Sequence, residues 1–312
     1  MNIYVIIVTY NGAPWIRGAL QSLRLSDTPC TPVVVDNASG DDTVAIVRRE
    51  FPEAIVVAQA ANTGFGCGNN AGISLAAAHG ADYIFLLNQD AFVTPAALGA
   101  LAGFLERHPA YALASPLHCS PDLDALDPQT QHAYLQRHAP AYLSDACLGR
   151  ARDHYEIRAI NAAAWMVRTA AFRQIGGFDP IFFMYGEDDD WMTRCAHLGQ
   201  RCALLPACRI VHLRAHAPHR TATLARQLWS LSERARSDLL LDMKHPQGKP
   251  FGKLLRLFSY GILRPLAQVV ATHDWKDACA YLLATLRVLG RCRTVFKRAR
   301  LCASSGPHFL DI

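Results

Sequence analysis

Four consecutive acidic residues, Glu187 to Asp190, lie between an apolar aromatic run and Trp191. Neighbouring carboxylates raise one another's pKa unless a cation lies among them, so the run suits a bound cation or the removal of a proton. The residues that follow predict a helix from Glu187 to Leu198. Asp188 precedes Trp191 by three residues and therefore begins the inward-facing stripe of that helix.

The other two acids of the run have a simpler explanation. Asp189 and Asp190 are expected to stabilise the helix start, and Asp190 precedes Arg194 by four residues, as in a solvent-exposed ion pair. The alternative is that all four acids only favour the helix N-terminus through its dipole.

The elements that must position these acids alternate between strands and helices. Strands are predicted at Ile3–Val8, Pro32–Val35, Ala54–Val57, Tyr83–Leu87 and Asn161–Arg168, and helices at Pro14–Leu23, Asp42–Glu50 and Asn70–His79. This order predicts an α/β fold with a Rossmann-like, mostly parallel sheet flanked by helices. Ligands of such sheets bind at the carboxyl ends of the strands, where polar residues follow the first four strands.

Two strand ends are candidates for nucleotide binding. Asp36 can accept a hydrogen bond from a pyrimidine imide or a ribose hydroxyl, although an Asx-turn explains it as well. The glycines of residues 62–70 let the backbone approach a phosphate at a helix N-terminus, and the alternative is a tight turn. Their spacing differs from the G-x-G-x-x-G fingerprint, so a Rossmann dehydrogenase is a poor fit.

Two further residues are candidate metal ligands. Asp90 lies just beyond the fourth strand, beside Asn88, and oxygen ligands of this kind suit a Mg²⁺ or Mn²⁺ ion that bridges a diphosphate. His212 ends a short apolar strand and is a candidate third contact. The alternatives are a helix cap at Asp90 and a hydrogen-bonded edge histidine at His212.

The charge distribution divides the chain near residue 213. Residues 1–212 contain 14 Arg, no Lys and 20 acids, and residues 213–312 contain 17 Lys plus Arg and 6 acids. We therefore expect a catalytic domain at 1–212 and a basic, helical region at 213–312, with helices at Leu228–Met243 and Ala278–Leu289. Residues 118–157 are expected to form a loop-rich excursion.

The basic region is expected to meet an anionic partner. Its amphipathic stretch Arg291–Arg300 is typical of a segment that lies on an anionic membrane surface. The alternative is a set of helices packed on the catalytic domain with a solvated basic face. We expect no nucleic-acid partner, because no aromatic stacking platform is visible.

Composition and the first residues bear on location. The hydrophobic content is 51% and the charged content 18%, which is typical of a folded protein. The start at Met1 reads as a strand and not as a signal peptide, and no uncharged apolar run reaches the roughly 18–20 residues that cross a bilayer. We therefore expect a cytoplasmic protein, peripheral on the inner face of the plasma membrane.

The ordered motifs resemble those of the family 2 glycosyltransferases, which have the GT-A fold, and most closely the rhamnosyltransferase-type bacterial members. The resemblance covers about residues 3–212. The matching segments are Ile6–Asn11, Val35–Ser39, Asn62–Gly66, Leu87–Asp90 and the stretch from Gly176-Gly177-Phe178-Asp179 to Gly186-Glu187-Asp188.

The resemblance implies roles for individual residues. Asp188, beside Glu187, would be the catalytic base, and Asp90 with His212 would bind Mg²⁺ or Mn²⁺. The nucleotide-sugar would contact Thr9, Asn11, Asp36, Asn62, Gly64, Gly66, Asn69 and Asn88. Asn88 stands where the family usually has its first Asp. Trp165 and Trp191 are candidates for stacking on acceptor sugars, with a buried-core role as the alternative.

The resemblance also implies an activity. The chain would transfer a sugar such as rhamnose, with inversion, from a nucleotide-diphosphate donor to a glycan or lipid-linked acceptor in bacterial surface polysaccharide synthesis. Two alternatives are a sugar nucleotidyltransferase and a catalytically silent sugar-binding protein on the same fold. The residues Asn11-Gly12-Ala13-Pro14 lack the basic triphosphate-binding loop expected of the nucleotidyltransferase.

Overall fold

The protein is described here by a computed structural model that covers residues 1–213, 223–272 and 275–312. Within these residues one mixed sheet is flanked by helices. Its strands are β1 Ile3–Thr9, β2 Thr31–Asp36, β3 Ile55–Ala58, β4 Tyr83–Leu87, β5 Ala91–Val93, β6 Tyr111–Cys119, β7 Tyr155–Ile157, β8 Ala164–Arg168 and β9 Arg201–His212.

The helices divide between the sheet and the C-terminal region. Those of the first part are α1 Ile16–Arg24, α2 Thr43–Glu50, α3 Phe65–Ala78, α4 Ala97–Arg107, α5 Gln136–His138, α6 Pro140–Cys147, α7 Thr169–Ile175 and α8 Glu187–His197. Those of the C-terminal region are α9 Leu224–Lys244, α10 Pro250–Phe258, α11 Arg264–Thr272, α12 Trp275–Gly290 and α13 Cys292–Cys302.

The sheet runs in the order β3-β2-β1-β4-β8-β6-β9-β5, and β7 pairs with β9. The four strands β3, β2, β1 and β4 are parallel. Beyond them β8 is antiparallel to both neighbours, while β6 and β9 are parallel to each other. The predicted α/β fold is confirmed, but its sheet is mixed and not mostly parallel, since half of its strand pairs are antiparallel.

Strand β1 shows why this sheet is covered on both faces. Val5 and Ile7 pack into the core under α1 and α4, whereas Tyr4 and Ile6 pack into the core on the opposite face. Successive side chains of a strand point to opposite faces, so an uninterrupted apolar run is buried on both sides.

Helix α3 begins at Phe65, five residues before its predicted start at Asn70. Glycine disfavours helix interiors, which is why the prediction excluded the glycine run. In the fold these glycines allow close packing. A Cβ atom at Gly68 would lie 2.8 Å from Val8, and one at Gly72 would lie 2.4 Å from Ile6. Tertiary packing against β1 therefore outweighs the local propensity.

Residues 118–157 are more regular than predicted. They contain the end of β6, a π-helical segment Thr130–Leu135, the helices α5 and α6, and strand β7. Asp127 begins the π-helical segment, because its Oδ1 accepts the Gln129 amide at 2.8 Å. The expectation of a loop-rich excursion is wrong for most of this segment, because short helices form there despite its prolines.

The C-terminal helices pack on the sheet-bearing part of the chain. Ile181 and Phe182 enter a third apolar core with Leu239 and Met243 of α9 and residues of α10, α12 and α13. The Lys244 ammonium beside them lies 2.6 Å from carboxylates on α8 and on the segment before it. This agrees with the alternative in which these helices pack on the catalytic domain, and the boundary at 213 stays a prediction. Residues 214–222 lie outside the described part.

The ion pair of Asp190 and Arg194 is buried, not solvent-exposed as predicted. The Arg194 side chain is 1% exposed, and its Nε lies 3.0 Å from Asp190 Oδ2. Lys244 contacts the other oxygen of Asp190 and also Asp179, which Arg298 contacts in turn. Burial would raise the pKa of Asp190, but the charges of Lys244 and Arg194 outweigh it and lower that pKa. The network attaches α9 and α13 to the start of α8.

A long apolar helix lies on the surface of the C-terminal region. Pro250–Ala271 joins α10, a π-helical segment Ser259–Leu263 and α11, and Gly261 and Pro265 do not interrupt it. In the described chain it is the one helix whose length and composition would allow a membrane crossing, which is weak evidence for one. Its mean hydropathy is 1.2 over 18 residues, of which 17% are buried.

Candidate active site

A cavity of about 700 Å³ lies beyond the carboxyl end of β4. It is lined by Asn88 and Asp90 after β4, by the start of α8 from Glu187 to Asp189, and by one face of α9. The structure therefore brings together four of the predicted site residues, Asn88, Asp90, Glu187 and Asp188. The expectation that strand-end groups and the acidic run share a site holds for these four.

An unusual backbone turn aims the acidic run into the cavity. Tyr185 and Gly186 have φ angles of 69° and 82°, both in the left-handed region. A Cβ atom at Gly186 would lie 2.0 Å from Ser237 Oγ, and the same hydroxyl donates to the Tyr185 carbonyl at 2.6 Å. Only glycine fits between the turn and α9, so the turn and that helix fix the entry into α8 together.

Two acids in the wall of this cavity have raised pKa values. Burial, reinforced by Asp188, raises the pKa of Glu187 to about 8. Burial, reinforced by Asp188 and Asp238, raises that of Asp189 to about 7. Asp189 was predicted only to stabilise the helix start, but the structure places it in the cavity wall. At pH 7 Glu187 is mainly neutral, and Asp189 is near its midpoint.

Asp188 lies between these two acids and is held by backbone groups. Its Oδ2 accepts the Ala162 amide at 3.3 Å, and its Oδ1 accepts the Asp189 amide at 2.9 Å. Backbone donors stabilise the ionised carboxylate. The side chain is partly exposed to the cavity, as a group that receives a proton from a bound molecule must be.

Of the two candidate metal ligands, Asp90 lines the cavity and the buried His212 lies behind it. His212 Nε2 is 3.6 Å from Asp90 Oδ1 and 3.5 Å from Asn88 Nδ2. The other imidazole nitrogen, Nδ1, is 2.9 Å from Asp127 Oδ2. A carboxylate on Nδ1 fixes the orientation of the ring and directs Nε2 toward Asp90, an arrangement found around metal-bound histidines. Asp127 also groups with His118 and His212 as a possible cation-binding set.

The ends of β1 and β2 form a second polar segment. Asn11 links the two loops, since its backbone N–H donates to Ser39 Oγ at 2.9 Å and its side-chain Oδ1 accepts the Gly40 backbone N–H at 2.9 Å. Asp36 accepts the Ser39 amide at 3.0 Å, so the Asx-turn alternative is present. Thr9 is fully buried, and Gly12 packs over its hydroxyl. The contact of Thr9 with a nucleoside stays a prediction, and its side chain is buried in the described structure.

Several residues of the predicted glycine-rich segment form turn and packing contacts within the fold. Asn62 Oδ1 accepts the Gly64 amide at 3.0 Å and so forms a turn before α3. At Gly66 a Cβ atom would lie 2.9 Å from Phe178, which packs there. Asn69 is 1% exposed and donates to the Phe65 carbonyl of its own helix. The side chain of Asn69 is thus used within α3, while contacts from the backbone of Gly64 and Gly66 stay predictions.

The prediction that Trp165 and Trp191 stack on an acceptor sugar is wrong. Both are 0% exposed, and their rings contact each other with centroids 5.6 Å apart. The Trp191 indole donates to the Gly176 carbonyl at 2.8 Å. Both rings fill the core beneath α8, which was the stated alternative.

Several residues that line the cavity or support its candidate ligands were missed, because no local pattern marks them. Asp127 lies in an irregular segment 85 residues from its partner His212. Asn161 lines the cavity from just before β8. Arg234 and Asp238 come from α9, and the Arg234 guanidinium lies over the Tyr185 ring at 5.1 Å. Because α9 was assigned to a separate region, its contribution to the site could be found only from the tertiary fold.

Known proteins are similar to this chain in sequence and in fold. Residues 4–176 match the model of glycosyl transferase family 2. The chain is 27% identical over 237 residues to an N-acetylglucosaminyl-diphospho-decaprenol L-rhamnosyltransferase of Mycobacterium tuberculosis, covering 69% of this chain and 77% of that protein. It is 23% identical to the dTDP-rhamnosyl transferase RfbF of Shigella flexneri, covering 68% of this chain and 69% of that protein.

A solved structure supports the same fold. The mannosyltransferase PcManGT of Pyrobaculum calidifontis, in complex with GDP-Man and Mn²⁺, superposes with a TM-score of 0.59 at 22% identity. The match covers 97% of this chain and 85% of that protein, and the shared architecture is the GT-A fold. The family match spans more than half of the residues. The chain belongs to glycosyl transferase family 2.

Proposed function

We propose that this glycosyltransferase moves a sugar, with inversion, from a nucleoside-diphosphate donor to a lipid-diphosphate-linked glycan of the bacterial envelope. The observation that supports it most directly is the cavity shared by Asp188 and Asp90 beyond β4. The Asp188 carboxylate can accept the proton of an acceptor hydroxyl, and the Asp90 carboxylate can hold a cation that binds the donor diphosphate. Rhamnose is the proposed sugar, since two similar proteins are named as rhamnosyltransferases.

Asp188 is the proposed catalytic base. It accepts the proton of the acceptor hydroxyl, whose oxygen attacks the anomeric carbon from the side opposite the leaving diphosphate, and this inverts the anomeric centre. The neighbouring Glu187, neutral because of its raised pKa, adds no second negative charge beside the attacking oxygen. Asn11 and Asp36 are proposed to hold the nucleoside, and Asn88 the ribose or diphosphate.

The residues at the end of the cavity fit a divalent cation. Asp90 and His212 would hold it, and Asp127 would keep the imidazole oriented through Nδ1. Carboxylate and imidazole ligands suit Mn²⁺, and Mg²⁺ with more oxygen ligands from the donor. When bound, the ion would offset the negative charge of the departing diphosphate.

We also propose that the C-terminal region lies on the cytoplasmic face of an anionic membrane. Pro250–Ala271 presents exposed apolar side chains, with Phe251 at 73% and Val270 at 80% exposure. Basic side chains flank them, and residues 213–312 have a net charge of +11 by the counts given above. An apolar helix face with basic neighbours suits the headgroup boundary of an anionic bilayer.

Liposome co-sedimentation tests this placement. The variant Phe251→Ser/Val270→Ser is expected to bind less to vesicles that contain phosphatidylglycerol, whereas Leu148→Ser, at another exposed apolar position, is expected to bind like the wild type. Equal binding of the wild type to neutral and anionic vesicles would contradict the charge-based part of the proposal.

The activity itself is tested with a panel of nucleotide sugars. Release of nucleoside diphosphate is followed with Mn²⁺ or Mg²⁺ and a lipid-diphosphate-linked sugar, with dTDP-rhamnose expected to give the fastest rate. Retention of the anomeric configuration in the product would refute the mechanism. Failure of every donor, with lipid-linked acceptors present, would favour the silent sugar-binding alternative.

A further inference from the structure

A second cavity, of about 830 Å³, lies on the neighbouring face of α9. Trp229, Glu233 and Arg236 line it from α9, and Arg287 and Arg291 line it from the end of α12 and the residue after it. The active-site cavity is lined by positions one residue further along the helix, such as 234 and 237. Because successive helical residues are rotated by about 100°, the two cavities lie side by side along the same turns of α9.

The charges in this cavity, which we call the arginine cavity, do not balance. Glu233 is 5% exposed; its Oε1 lies 2.9 Å from Arg287 Nη1, and its Oε2 lies 3.5 Å from Arg236 Nε. Arg291 adds a third guanidinium to the wall. Two of the three guanidinium groups pair with the one carboxylate, so the lining carries an excess of positive charge, which favours the entry of an anion.

The pKa of Arg236 is consistent with this excess of positive charge. Burial lowers it, and the nearby charges of Arg291 and Arg287 lower it further, against the opposing effect of Glu233. Arg287 and Arg291 are thus both close enough to Arg236 to repel its guanidinium group. A doubly charged anion would relieve that repulsion, and guanidinium groups bind phosphate oxygens through paired, charge-assisted hydrogen bonds.

The floor of the arginine cavity is apolar and aromatic. Trp229 is 43% exposed, and its ring meets that of Phe183 at a centroid distance of 6.5 Å. Ile181, Leu240 and Val288 complete the apolar lining. A ligand that fits both the arginines and the apolar lining must carry a compact negative group and, next to it, a hydrocarbon chain.

The two cavities are also within reach of one molecule. Phe183 lines the arginine cavity, and Asp188 lines the active-site cavity. Five residues along the chain separate their Cα atoms by at most about 18 Å. A sugar attached to a diphosphate in the arginine cavity would have to extend over no more than about this distance to approach the base.

We propose that the arginine cavity binds the prenyl diphosphate of the acceptor, with Arg236, Arg287 and Arg291 on the diphosphate and Trp229 and Phe183 on the first isoprene units. This assignment rests on the proposed function, because it names the site for the lipid-diphosphate end of that acceptor. The three arginines are binding residues and take no part in the chemical step.

Binding is tested without catalysis, by quenching of tryptophan fluorescence in the presence of EDTA. Farnesyl diphosphate is expected to bind, and Arg287→Ala/Arg291→Ala is expected to weaken its binding at least about tenfold, because two guanidinium groups that would pair with the diphosphate are lost. Arg293→Ala is the matched control, an exposed arginine that does not line the cavity. If the double variant fails to fold, Arg291→Ala alone replaces it.

Further ligands test which part of farnesyl diphosphate is needed for binding and whether the donor site is involved. Farnesol and inorganic diphosphate are each expected to bind more weakly than farnesyl diphosphate. Competition by dTDP or UDP would assign the signal to the donor site and overturn the proposal. Equal affinity of the wild type and Arg287→Ala/Arg291→Ala would overturn it as well.

Transfer assays separate this proposal from the proposed function. The double variant is expected to raise the KM for a lipid-diphosphate acceptor about tenfold and to leave the KM for the donor unchanged. An unchanged acceptor KM would refute the arginine cavity while the glycosyltransferase function stands. Arginine-dependent binding of farnesyl diphosphate without transfer to any acceptor would refute the function and leave the site in place.

Discussion

Replacement of Glu187 by Gln is expected to change how the stability of the protein depends on pH. The Glu187 side chain is buried, and its Oε2 has no hydrogen-bond partner among the described residues. Burial and the adjacent Asp188 raise its pKa to about 8. Glutamine has nearly the same shape and no charge, so Glu187→Gln removes the ionisation with little change in packing.

The magnitude follows from the two pKa values. In the unfolded chain the carboxyl has its ordinary pKa of 4.5 and ionises first, whereas in the folded protein it stays protonated up to about pH 8. The raised pKa therefore contributes stability below pH 4.5 that is lost as the pH rises toward 8. At about 1.4 kcal/mol per pKa unit, the wild type loses on the order of 3 kcal/mol between pH 4.5 and 7 through this residue.

Urea unfolding at several pH values measures this effect. The difference in unfolding free energy, Glu187→Gln minus wild type, is expected to grow by about 3 kcal/mol from pH 4.5 to 7 and to level off above pH 8. Glu156→Gln, at an exposed glutamate, serves as the control and is expected to show a much smaller trend. A difference for Glu187→Gln that does not vary with pH would refute the raised pKa.

Three further substitutions test separate parts of the structure. Lys244→Met leaves two buried carboxylates without their shared ammonium and is expected to destabilise the protein by about 3–5 kcal/mol, measured by urea unfolding. Asp127→Asn is expected to weaken Mn²⁺ binding about 10–100-fold in calorimetry, because the His212 ring loses its partner. Gly64→Ala would place its Cβ 2.1 Å from a backbone carbonyl and is expected to lower the Tm by more than Gly80→Ala, where φ is also positive but the space is open.

Much of the fold could be predicted because the strands carry local signals. The apolar runs of β1 and β4 and the polar residues after them indicated a parallel sheet with its ligand edge. The start of α8 was predicted correctly at Glu187, since acids before an amphipathic stripe are a local pattern. The early start of α3 was not predictable, because its glycines are explained only by contact with β1.

The site was predictable only in part, for the same reason. Asp90 and Asp188 follow directly from strand and helix positions, so their meeting in one cavity could be expected. The packing of Trp165 against Trp191 depends on how α8 lies on the sheet, and the partner of His212 comes from a distant irregular segment. Contacts of this kind between segments far apart in sequence leave no periodic trace in one chain.

The most direct test of the account compares Asp188→Asn with Asp189→Asn in single-turnover transfer at saturating donor and acceptor. Both acids line the same cavity, but only Asp188 accepts the Ala162 amide and is assigned as the base. Asp188→Asn is expected to lower the rate at least about 100-fold with unchanged donor affinity, and Asp189→Asn is expected to lower it less than tenfold. A wild-type rate for Asp188→Asn, or a larger loss for Asp189→Asn, would contradict the assignment of the base.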